Sequence, residues 1–116
     1  MIDVDTERFE ELVGLALDTI PDELAAKMEN VAVFVEDLGA SPNLLGLYEG
    51  IPLTSRTPMS YGGMVMPDRI TIYRKPILWR AATEDEVVRQ VRITVIHEVG
   101  HHFGIDDERL HELGWA

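Results

Sequence analysis

Residues 83–107 read TEDEVVRQVRITVIHEVGHHFGIDD, and this stretch decides the fold. Thr83 is followed three residues later by Glu86, the arrangement of a capping box, in which a hydroxyl and a carboxylate satisfy the first free N–H groups of a helix. The helix predicted from there runs to about Phe103 and stops at Gly104, a residue suited to a left-handed C-terminal turn. Its wheel places Val88, Val91, Val95 and Val99 broadly opposite His97 and His101. Gln90 and Thr94 share the histidine face, so a polar groove is expected along it. A helix with one apolar stripe must bury that stripe, here against a sheet, and the layout is α+β.

Working outward, Thr6 to Thr19 carries Phe9, Leu12, Val13, Leu15 and Ala16 near helical spacing, with Ile20 just beyond. Pro21-Asp22-Glu23 opens a second short helix through about Met28, with proline in the first turn and acids favoured by the helix dipole. Val31-Ala32-Val33-Phe34-Val35 is an unbroken β-favouring run and is expected as a buried central strand. Gly46 to Gly50 is expected as a short strand. Arg69 to Arg74 alternates polar and apolar residues, as a strand with one wet face does. Ile51 to Pro67 is rich in Pro, Gly, Ser and Thr and is read as loop. Pro76 to Arg80 is expected to form a helical turn, and Asp106 to Leu113 a second short helix or turn.

Composition sets the outer bounds. The 116 residues are expected to form a single domain over 1–116, and 46% hydrophobic content suits a chain that buries a core. Twenty-one acidic against ten basic residues give a formal charge of −11, which disfavours nucleic acid or an anionic membrane as partner. No apolar run is long enough to span a bilayer, and Met1-Ile2-Asp3-Val4-Asp5 lacks the features of a secretory signal, so a cytoplasmic location is expected. There is no cysteine, so any metal must be held by His and carboxylates.

The chemistry lies at His97-Glu98-Val99-Gly100-His101. At about 100° per residue the two histidines sit one turn apart on one face, within reach of a single metal ion. Zinc takes nitrogen and oxygen donors, and a catalytic site keeps a position open for water. Glu98 is then placed to act as general base toward that water. Gly104 lets the chain turn back, so that Asp107 can reach the metal as third ligand. Asp106, Glu108, His111 and Glu112 lie close by, and Asp106 is also suited to capping the helix that follows.

The run His97 to Asp107 resembles the extended motif of the zincin superfamily. Its spacing, HExxHxxGxxD, is similar to the metzincin type with Asp in place of the usual third His, as in small bacterial zincin-like proteins. The resemblance implies a minimal zincin-like domain: a small mixed sheet packed against helices, with a long motif helix toward the C-terminus. It implies a zinc-dependent metallopeptidase that hydrolyses peptide bonds through a zinc-activated water, with Zn2+ on His97, His101 and Asp107 and Glu98 as base. Peptide or protein is then the substrate, and Arg69 to Tyr73 the candidate edge strand to receive it. The sequence departs from metzincins in lacking a methionine after the motif, since Met1, Met28, Met59, Met64 and Met66 all precede it. One wall of the usual cleft is then absent unless a partner subunit supplies it, as in a homo-oligomer. The alternative is a non-catalytic metal-binding or interaction module with a degenerate site.

The remaining candidates have plainer readings. His102 turns away from the proposed ligands and is read as supporting them or lying at the surface. Tyr48, Tyr61 and Tyr73 are read as packing rather than as oxyanion donors, and Trp79 and Trp115 as packing anchors. Tyr61-Gly62-Gly63 is read as a turn in preference to a flap over the site.

Overall fold

Asp5 accepts a hydrogen bond from the Arg8 N–H (2.8 Å) and so starts α1 (Thr6–Leu17), whose Phe9, Leu12, Val13 and Ala16 are buried. The computed structural model describes residues 1–50 and 67–115. After α1 come α2 (Asp22–Lys27), β1 (Val31–Glu36), β2 (Gly46–Glu49), β3 (Asp68–Tyr73), α3 (Arg74–Trp79), α4 (Glu84–His102) and α5 (Asp107–Glu112). The α+β layout is the one expected. None of these helices is long and apolar enough to cross a membrane. The predicted loop from Ile51, and Tyr61-Gly62-Gly63 within it, lie outside the described residues.

The three strands form a mixed sheet in the order β1-β3-β2, with β1 parallel and β2 antiparallel to β3. This corrects two expectations. Among the described residues Val31 to Val35 is not central: β1 has β3 as its only neighbour there, and Phe34 is 44% exposed. Its apolar run persists because the Arg69 guanidinium covers the Phe34 ring at 4.5 Å, so a neighbouring side chain replaces a second layer. β3 is the central strand, and it is buried on both faces except at Arg69. Ile70 and Ile72 enter the core, Thr71 on the face expected to be wet is covered as well, and Tyr73 packs as read. The backbone at Gly39 lies so close over Tyr73 that a Cβ there would be 2.7 Å from the ring. Burial pushes the Tyr73 phenol above its ordinary pKa, with Glu36 and Glu49 adding to the effect.

α4 begins as predicted, with Thr83 accepting from the Glu86 N–H at 3.2 Å. The reciprocal bond is shifted by one residue, since Glu86 accepts from the Ala82 N–H at 2.6 Å. Val87, Val91, Val95, Ile96 and Val99 are fully buried, whereas Val88 is only half-buried. The apolar stripe is therefore centred slightly away from the predicted one. It packs against α1 and the sheet, and each such side chain contributes about 1.5–3 kcal/mol relative to exposure.

Pro76, Ile77 and Leu78 anchor α3 in the core, and Trp79 is 41% exposed, so it is not the anchor expected. The short helix has room to bury only one side, and Trp79 falls at its end. Trp115 does pack against the core. Arg74 joins α3 to the segments before α1 and after β1, donating to Asp37 (2.9 Å) and to the Val4 carbonyl.

Candidate metal centre

The end of α4 is a Schellman turn. The Ile105 N–H donates to the Gly100 carbonyl (2.7 Å), the Gly104 N–H donates to His101 O (3.1 Å), and Gly104 has φ +78°. A side chain at Gly104 would be strained in that conformation, so the sharp reversal depends on glycine. Asp106 then caps α5 by accepting from the Arg109 N–H at 2.9 Å. This places Asp107, the first residue of α5, beside the histidine face of α4.

The rings of His97 and His101 lie 5.7 Å apart, centre to centre. Asp107 Oδ1 is 2.9 Å from His101 Nε2 and 3.3 Å from His97 Nδ1. One donor atom from each of the three residues lies within 4.8 Å of the others. Donors about 2.0–2.1 Å from a tetrahedral zinc are about 3.4 Å apart, so the spacing and the donor types fit such an ion. Three protein donors would also leave a fourth position to solvent or substrate, and His101 and Asp107 are exposed. Among the described residues no other trio of His, Asp and Glu has this spacing.

Two of the neighbouring carboxylates are committed elsewhere. Asp106 caps α5, and Glu112 pairs with Arg109 at 3.0 Å. The hydrogen bond with His101 holds the Asp107 carboxyl below its ordinary pKa, with the charges of His97 and His101 acting the same way. Glu98 is shifted in the opposite direction, upward through burial, against the pull of His101 and His97.

A sequence profile of the zincin-like metallopeptidases matches residues 28–115, more than half of the chain and all of the elements from β1 to α5. The chain belongs to the zincin-like metallopeptidase family. No curated protein matches it.

In this zincin-like chain the groove beside the centre holds about 250 Å³ and is lined by Leu44, Leu45 and Gly46 against Ile93, Thr94, His97, Glu98 and His101. It is less polar than expected. The Thr94 hydroxyl donates back to the Gln90 carbonyl at 2.8 Å, and its methyl faces Gly46. A Cβ at Gly46 would lie 2.6 Å from that methyl, so the missing side chain is what lets β2 lie directly on α4.

The expected edge strand is also corrected. β3 has neighbours on both sides, and it is β2 that borders the groove. Sequence reasoning missed one cluster altogether. Tyr48 donates its hydroxyl to Asp68 Oδ2 (2.7 Å) and stacks on His102 at 4.0 Å, and His102 Nε2 is 3.7 Å from the same oxygen. His102 thus ties the end of α4 to β2 and β3. Its contacts join three distant segments, so no local spacing signals them.

Proposed function

We propose that the chain is a zinc-dependent peptidase with a metzincin-type extended motif, in which His97, His101 and Asp107 hold the metal and Glu98 is the general base. The observation that carries this reading is the approach of Asp107 Oδ1 to ring nitrogens of both histidines. Zinc held there would supply a Lewis acid that polarises the scissile carbonyl and activates water.

The chain's own groups divide the remaining work. Glu98 lines the groove next to both histidines and accepts the proton of the attacking water, then delivers it to the leaving amine. Its partial burial favours proton uptake, since the charged carboxylate is less well solvated there. An extended peptide is received across the groove, with one side chain seated in it. Leu44, Leu45 and Ile93 favour an apolar side chain at that point.

The test is hydrolysis of a mixed peptide library by the zinc-loaded parent and by Glu98→Gln. The reading expects cleavage by the parent, loss of turnover in the variant and equal zinc content in both. Retained turnover in Glu98→Gln would remove Glu98 as base. Zinc binding without cleavage by either protein would favour a non-catalytic metal-binding module.

A further inference from the structure

Leu110 is the one residue of α5 that enters the core; it is fully buried and every other residue of that helix is exposed. It meets α4 at Gly100. A Cβ placed on Gly100 would lie 3.2 and 3.3 Å from the two Leu110 methyl groups and 3.5 Å from the Ile105 carbonyl oxygen. We infer that the Gly100–Leu110 contact is the positioning element that sets Asp107 on the metal, an inference that rests on the metal site proposed above.

The geometry links the two ends. Asp107 and Leu110 are three residues apart on α5 and so lie on one side of it, a turn apart. Gly100 immediately precedes His101, one of the two residues that Asp107 must approach. How deeply Leu110 sits over Gly100 therefore determines how far the Asp107 carboxylate stands from the histidines. The far end of α5 is fastened to the same helix, because the Trp115 N–H donates to Leu110 O (2.9 Å) and Arg92 Nη1 donates to Trp115 O (3.3 Å).

Because Leu110 is enclosed, a methyl added at Gly100 cannot be absorbed by swinging an exposed side chain aside. The strain passes to α5 and shifts Asp107. Metal–ligand distances are defined to within about 0.2 Å, so a small shift is enough to weaken the third bond. Leu110 does not touch the metal; it acts through Asp107. Alanine is also a better helix former than glycine, so folding stability and metal affinity respond differently to the change.

The test measures zinc affinity by chelator competition, and thermal stability of the metal-free proteins, for the parent, Gly100→Ala, Asp107→Ala and both together. Gly100→Ala is expected to bind zinc at least about tenfold more weakly, in the range seen for residues that support metal ligands. It is expected to have little further effect in the Asp107→Ala background, because the group it displaces is already gone. Adding Leu110→Val to Gly100→Ala keeps the buried volume nearly constant and should restore most of the affinity. Parent-like affinity in Gly100→Ala overturns the inference, as does an undiminished effect in the Asp107→Ala background. If the parent binds zinc but Asp107→Ala binds it equally well, the three-ligand site falls and the inference with it. An absence of zinc binding by the parent overturns both.

Discussion

Asp107 Oδ1 and His101 Nε2 lie 2.9 Å apart although they belong to different helices joined by a turn that only Gly104 makes without strain. The third donor is therefore a product of how α4 ends. Replacing Gly104 by Ala places a side chain at φ +78° and should destabilise the turn by about 1 kcal/mol or more. Zinc affinity should fall with it, as chelator competition would show. Unchanged affinity would mean that Asp107 reaches its place by another route.

The cap at Thr83 offers a contrasting case. It accepts from the Glu86 N–H at the far end of α4 from the histidines. Thr83→Ala should lower stability by about 1 kcal/mol, measured by denaturant unfolding, without altering zinc stoichiometry. A loss of zinc would show that the helix moves as a whole.

Much of α4 was legible because its signals are local. Thr83 and Glu86 mark its start, Gly104 marks its end, and the valines fix its buried side. The sheet was less legible, because strand order is set by contacts that leave no periodicity. β1 is more uniformly apolar than β3 and yet, among the described residues, β3 is the central strand, while Arg69 reaches across to cover Phe34. β3 alternates and is nonetheless buried, since the backbone at Gly39 closes over Tyr73. That His97, His101 and Asp107 lie together could be read from spacing; the Tyr48–Asp68–His102 cluster could not.

That cluster gives a further expectation. Tyr48→Phe removes a hydroxyl that donates to the largely buried Asp68 carboxylate and keeps the ring that stacks on His102. Stability should fall by about 1–2 kcal/mol in thermal unfolding, while zinc affinity stays within a few-fold of the parent. A large loss of zinc would assign the cluster a role in placing His101.

The groove depends on the bare backbone at Gly46. Gly46→Ala would force its Cβ against the Thr94 methyl and the Thr71 carbonyl oxygen, moving β2 away from α4. Overpacking of this kind costs about 1–3 kcal/mol, and a Thr94→Ala partner should recover part of it in a double-mutant cycle. Strict additivity would rule out the contact.

Asp37, Glu84 and Asp107 all have lowered carboxyl pKa values, and one of these sources of acid sensitivity lies at the junction of β1 and α3. Arg74 holds the Asp37 carboxyl below its ordinary pKa chiefly through their hydrogen bond. A carboxyl whose folded pKa is lowered adds stability above its unfolded pKa and loses it as pH falls through the folded value. Melting temperature should therefore decline below about pH 4, and Asp37→Asn should flatten that decline. The same slope in the variant would place the sensitivity elsewhere.

Metal content tests the central claim most directly. Elemental mass spectrometry of the purified parent and of His97→Ala, each incubated with zinc and then desalted, should find one zinc per chain in the parent and little in the variant. A parent that retains no zinc, or a variant that retains as much as the parent, would contradict the metal centre built on His97, His101 and Asp107.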